Sequence, residues 1–70
     1  MTITEKQART DHYYISIEIR PFGNGAYYAV QVLPLYRDGT AGYPIREMIY
    51  SLDEKQKAYR TFNRYIKNYI

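Results

Sequence analysis

YYISIEIRPFGNGAYYAVQVL, residues 13–33, is the stretch on which the fold turns. Its first half alternates strictly. Tyr13, Ile15, Ile17 and Ile19 fall on one side, with Tyr14, Ser16, Glu18 and Arg20 on the other. A strand repeats every second residue, so this pattern predicts a half-buried strand over residues 12–20. The Pro21-Phe22-Gly23-Asn24-Gly25 segment then interrupts the alternation, and Asn-Gly is a strong hairpin signal because both residues accept positive φ. A two-residue turn centred on Asn24 and Gly25 pairs Ile19 with Val30, Ile17 with Val32, and Phe22 with Tyr27. Each pair shares a face, so turn chemistry and alternation agree.

Working outward toward the C-terminus, the second strand runs from Ala26 to about Tyr36 and closes on Arg37-Asp38-Gly39-Thr40, a second tight-turn signature. A third strand is expected over residues 45–50, and two registers are open for it. A two-residue Asp38-Gly39 turn sets Ile45 opposite Val32 and Ile49 opposite Tyr28, but places Glu47 opposite Val30, where burying a charge is costly. A bulge at Gly42 and Pro44 instead turns Met48 and Tyr50 inward. Ser51-Leu52-Asp53-Glu54 reads as a capping box. Beyond it, Ala58, Tyr59, Phe62, Tyr65, Ile66 and Tyr69 recur at helical spacing and form one apolar stripe. The expected fold is α+β: a three-stranded antiparallel meander with one C-terminal helix packed on one face (βββα).

Toward the N-terminus, residues 1–11 are polar and are expected to form a flexible leader to a single domain over residues 12–70. Seventy residues allow only one small core, of the size that often needs a staple or a second subunit. The chain has no cysteine and one histidine, so neither a disulfide nor a thiolate zinc site is available. His12 alone makes no metal site, and no cofactor is expected. No apolar run reaches the ~20 residues that span a bilayer, and no signal-peptide core is visible. Cytoplasmic location is the expectation by elimination.

The residue inventory is also poor in catalytic pairs. No serine or threonine has an evident base, and Glu18 and Glu47 belong to different strands. General acid–base work needs groups within hydrogen-bond reach in a cleft, so an enzyme is not expected. Ten tyrosines and no tryptophan, with a net charge of +3, suit a surface that is wet when free and dry when bound.

One helix covers one face of the sheet, which leaves the other open. The candidate partner-binding residues on that open face are Tyr14, Arg20, Tyr27, Arg46, Met48 and Tyr50, the last three in the unbulged register. Tyrosine, methionine and arginine are enriched at interface centres. The alternative is the outer side of the helix, where Lys57, Arg60, Arg64 and Lys67 make a basic face. Such a face is ordinarily solvated, and it also complements the helix dipole.

No motif assigns the chain to a family. In the order of its elements, residues 15–66 resemble some small phage anti-CRISPR proteins, which combine a compact sheet with helices and occupy the surface of a host nuclease complex. Three strands followed by a helix also resemble the DNA-binding domains of plant ethylene-response factors and the arm-binding domains of tyrosine integrases, whose sheets enter the major groove. The arginine- and tryptophan-rich strands of the plant domains have no counterpart here. The expectation is a small non-enzymatic binding module, an inhibitor from a phage or mobile element acting on a protein or nucleoprotein complex through the open face. The alternatives are a sheet-based DNA-binding protein using Arg20, Arg37 and Arg46, and a structural homodimer closed by the same face.

Overall fold

The structure, a computed structural model, describes residues 2–70. Four strands, β1 (Ile3–Arg9), β2 (Tyr13–Phe22), β3 (Gly25–Pro34) and β4 (Arg46–Ser51), form one antiparallel sheet in the order of the chain. A single 3-10 turn, Leu52–Glu54, leads into helix α1 (Lys55–Tyr69). The class is α+β as expected, with four strands rather than three.

The additional strand is β1, in the segment expected to be a flexible leader. It pairs with β2 through Ile3–Ile19, Ala8–Ile15 and Arg9–Tyr14, with a bulge between Thr4 and Lys6. The Thr10 hydroxyl closes the connecting turn by accepting the N–H groups of His12 (3.2 Å) and Tyr13 (2.9 Å). Thr4, Glu5, Lys6 and Gln7 are all exposed. This strand is held by main-chain pairing along an edge, so it lacks the side-chain alternation that marks a half-buried strand.

The central hairpin forms, but its loop is Gly23-Asn24 rather than Asn24-Gly25. Phe22 pairs with Gly25, Ile19 with Tyr28, Ile17 with Val30 and Ile15 with Val32. Gly23 has φ +57°, and among the described residues no residue other than glycine has positive φ. A glycine at the first central position takes the left-handed backbone without steric penalty, whereas the expected loop demands it of Asn24 as well. The slip is two residues, so every side chain keeps its face.

The β3–β4 connection settles the register of β4. Its tip is a turn in which the Gly39 N–H donates to the Tyr36 carbonyl (3.0 Å) with Gly39 at φ +88°. Leu35 bridges Ala41, yet Val32 pairs with Arg46. Residues 42–45 therefore lie opposite residues 33–34 alone, and the surplus chain bulges out at Tyr43 and Pro44. Met48 then faces Val30, Tyr50 faces Tyr28, and Glu47 faces Gln31. Met48 and Tyr50 thus turn inward and the Glu47 charge stays out of the core. The three residues between Tyr36 and Thr40 set these faces, since a bulge of two residues leaves them unchanged.

Helix α1 starts where the capping box places it. The Ser51 N–H donates to a Glu54 carboxylate oxygen (3.2 Å), and the Ser51 hydroxyl donates to the same oxygen (3.0 Å). These bonds, with Lys57 nearby, hold the Glu54 carboxyl below its ordinary pKa. The helix buries Ala58, Thr61, Phe62 and Tyr65 against Ile15, Ile17, Tyr28, Val30 and Val32. Its two ends are fixed by aromatic edges, Tyr59 on Tyr28 (6.5 Å) and Tyr69 on Tyr13 (5.0 Å). The Tyr50 hydroxyl bonds Thr61 Oγ1 at 2.6 Å and ties the helix to β4. No helix among the described residues is long and apolar enough to cross a membrane.

Two substitutions test this packing. Phe62→Ala is expected to lower unfolding free energy by about 3–5 kcal/mol, read from chemical denaturation. Gly23→Ala should destabilise by about 1 kcal/mol through its left-handed backbone, while Gly25→Ala, whose new methyl would meet only the Phe22 carbonyl at 3.9 Å, should be better tolerated. A larger loss at Gly25 than at Gly23 would place the turn at Asn24-Gly25 instead.

Candidate functional site

Alternation decides which side chains reach the side of the sheet opposite α1. β2 sends Tyr14, Ser16, Glu18, Arg20 and Phe22 there, and β3 sends Tyr27, Ala29, Gln31 and Leu33, paired as Tyr14–Leu33, Ser16–Gln31, Glu18–Ala29 and Arg20–Tyr27. β4 adds Glu47, Ile49 and Ser51. Among the described residues no second layer lies on this side, yet Ser16 and Ala29 are fully buried. The side chains around them provide the cover.

That cover is a hydrogen-bonded ladder across three strands. Arg20 donates through Nε to Glu18 Oε1 (3.0 Å), through one terminal nitrogen to Glu47 Oε2 (3.2 Å), and through the other to Gln31 Oε1 (2.9 Å). The Gln31 amide then donates to Ser16 Oγ and Glu18 Oε1, both at 3.2 Å. Burial pulls the Arg20 guanidinium pKa down, but its bonds to Glu18 and Glu47 and the Glu18 charge outweigh that and leave it raised. Burial, followed by the Glu18 charge, pushes the Tyr14 hydroxyl up, and this hydroxyl donates to Gln7 Oε1 at 2.5 Å. The centre of the face is thus polar and largely self-satisfied.

The hairpin end of the same face is apolar. Phe22, 75% exposed, meets Tyr27 edge-on with ring centres 6.2 Å apart. Ile49 is 51% exposed, and Phe22, Tyr27, Ile49, Tyr50 and Ser51 line a shallow apolar groove.

Of the expected site residues, Tyr14, Arg20 and Tyr27 lie on this face. Arg46, Met48 and Tyr50 do not. They pair with Val32, Val30 and Tyr28 and so project on the helix side. The tip of the β3–β4 connection has three residues between Tyr36 and Thr40 rather than two, which shifts β4 by one residue relative to the expected hairpin. Tyr50 packs against the core, and Met48, beyond the reach of the helix, stays 43% exposed. The same one-residue shift brings out Ile49, which sequence reasoning had set opposite Tyr28. Phe22 is not among the expected site residues, although its place beside the turn on the outward side of β2 is the signal that would have found it. On the helix, Lys57, Arg60, Arg64 and Lys67 are all exposed, and Lys57 pairs with Glu54 at 3.2 Å. His12 is exposed in the β1–β2 turn, where its carbonyl accepts the Leu35 N–H (2.8 Å).

Comparison of the chain with protein families, with curated proteins and with solved structures finds no match. A functional reading must therefore come from the residues themselves.

The ladder has a measurable role in the fold. Arg20→Ala leaves Glu18 and Gln31 without their shared donor. Side-chain exposures of 25% for Arg20 and 15% for Glu18 put the pair between a surface and a buried bridge. The expected loss is about 1–2 kcal/mol, and Glu18→Ala combined with Arg20→Ala should lose less than the sum of the single changes. Strict additivity in that cycle would mean the ladder is not coupled.

Proposed function

We propose that this chain is a non-enzymatic binding module that engages a protein through its open sheet face, with Phe22, Tyr27 and Ile49 as apolar anchors. The observation that carries this reading is an aromatic ring three-quarters exposed on the uncovered side of the sheet, at the rim of an apolar groove. Isolated exposed apolar residues are ordinary, but a cluster of them beside a groove marks an interaction surface.

The polar centre suits the same role. Glu18 and Glu47 both bond Arg20, so a partner docking on the face meets carboxylates that already have a hydrogen-bonded cation beside them. Strands of 7, 10, 10 and 6 residues at about 3.3 Å per residue and about 4.8 Å apart present a face of about 500 Å². That is below the ~800 Å² per partner of a standard interface and in the range of a small one. A module of this kind acts on its partner by covering a surface, which is how a small inhibitor blocks a larger complex. We assign that activity within the same proposal.

The sheet-based DNA reading is weaker, because Arg20, its central arginine, is held by Glu18, Glu47 and Gln31. An arginine so engaged must break those bonds before it can reach a base edge or phosphate.

The test is photo-crosslinking from position 22 in extract of the source cell, followed by affinity measurements with the captured protein. Phe22→Ala and Ile49→Ala are each expected to weaken binding by about 2 kcal/mol or more, on the order of thirtyfold. Arg60→Ala, on the far side of the helix, should bind as the parent does. Undiminished affinity in the Phe22→Ala, Ile49→Ala double variant would remove the open face as the binding surface.

A further inference from the structure

The sheet end opposite the Gly23-Asn24 hairpin carries a second surface, distinct from the open face. The β3–β4 connection projects there, and it holds two of the most exposed aromatic rings in the chain, Tyr36 at 58% and Tyr43 at 93%. The loop is well tethered. Tyr36 N–H donates to the Thr40 carbonyl (2.9 Å), Gly42 N–H to the Pro34 carbonyl (2.9 Å), and Ile45 N–H to the Val32 carbonyl (2.9 Å).

Gly42 shows how Tyr36 is held. A Cβ at this position would sit 2.6 Å from the Tyr36 hydroxyl and 3.0 Å from Pro34 Cγ. The Tyr36 side chain therefore lies against the bare backbone of Gly42, in a place only glycine leaves free. Tyr43, the next residue, stands out between Gly42 and Pro44, where proline restricts the chain. Tyr36, Ala41, Gly42 and Tyr43 together line a shallow concavity.

The charge around this concavity is mostly of one sign. Arg37 is in the loop, and Arg46 follows it on the helix side of β4, with its guanidinium on the Ile45 carbonyl (3.0 Å). Arg64 is exposed on α1, whose C-terminal end packs Tyr69 on Tyr13 at this end of the sheet. Burial raises the Tyr65 hydroxyl pKa, and the charges of Arg64 and Arg46 both act against that rise. Among the described residues none of these three arginines forms an ion pair. The loop's single acid, Asp38, accepts two bonds from Thr40 (3.0 and 2.7 Å). Asp11, on the β1–β2 turn, is a further acid at this end. Glu47, next to Arg46, faces the other side of the sheet and bonds Arg20, and α1 has no acid.

We infer that this loop end binds single-stranded nucleic acid, with Tyr43 and Tyr36 stacking on bases and Arg37, Arg46 and Arg64 meeting phosphates. An exposed aromatic ring beside unpaired cations is the pairing that single strands require, because each unpaired nucleotide offers a flat base and a negative charge together. A duplex keeps its base faces stacked inside and has nothing to place on Tyr43. An acidic peptide would answer the arginines but not the rings. The site shares no residue with the open face, so a partner that is itself a nucleoprotein could occupy both, and either reading survives failure of the other.

The experiment uses the purified chain and fluorescence anisotropy of a labelled oligothymidylate of about 15 nucleotides. Binding is expected at low salt, with a log–log salt slope of about −2 for three phosphate contacts, and Arg46→Ala and Arg64→Ala should each shrink that slope by about 0.7. Tyr43→Ala should weaken binding about tenfold with the slope unchanged, while Tyr43→Phe, which keeps the ring, should bind as the parent does. Circular dichroism melts check that each variant is folded. Absence of binding at low salt would overturn the inference. So would parental affinity in Tyr43→Ala, equal affinity for a duplex of the same length, or equally effective displacement by polyglutamate, which would point to an acidic protein surface instead.

Discussion

Val30 and Val32 cannot lie under α1 unless Ala29, Gln31 and Leu33 turn the other way. This parity, imposed by the pleat of a strand, governs the molecule because there is one helix to cover one face. Ile15, Ile17, Val30 and Val32 are fully buried on the covered side. Their alternation partners are thereby committed to a side that has no second layer. A sheet in that position needs some other means of shielding its backbone and small residues from water, and the Arg20 ladder supplies it.

The same parity makes the tip of the β3–β4 connection decisive. Shifting a strand by one residue exchanges its two faces. A two-residue tip would drive Glu47 beneath the helix and Tyr50 away from it. The three-residue tip, Arg37-Asp38-Gly39 between Tyr36 and Thr40, lets Glu47 reach Arg20 on one side while Tyr50 reaches Thr61 on the other. It thus links the helix contact, the polar ladder and the exposure of Ile49. The bulge at Tyr43 and Pro44 adds two residues, which keeps the faces and thrusts Tyr43 into solvent.

The two surfaces differ in physical character. The open face has its charges bonded to one another and offers apolar area at Phe22, Tyr27 and Ile49, which suits a dry protein contact. The loop end keeps its arginines unpaired and its rings wet, which suits a hydrated and charged ligand. Their separation at opposite ends of the sheet lets one small domain present two kinds of chemistry without a cleft.

Much of this was determined by the residues alone. The alternation over residues 13–20 and 28–32 assigned the core face of the central strands, and the Ser51–Glu54 spacing with its apolar stripe located the helix and the side it buries. Those signals are local, since a strand's faces and a helix's cap depend on residues only a few positions apart. Tyr14, Arg20 and Tyr27 could be assigned to the open face for the same reason. The hairpin tip was off by one position because Gly23 and Gly25 flank Asn24 almost symmetrically, and only the full ladder chooses between them. β1 was not legible at all, since an edge strand stabilised by main-chain hydrogen bonds needs no apolar repeat. The positions of Arg46, Met48, Tyr50 and Ile49 depended on whether the β3–β4 tip holds two residues or three, a choice whose energetics are non-local. Tertiary structure decided them, because the penalty for burying Glu47 and the gain from its bond to Arg20 arise only when β2, β3 and β4 lie side by side.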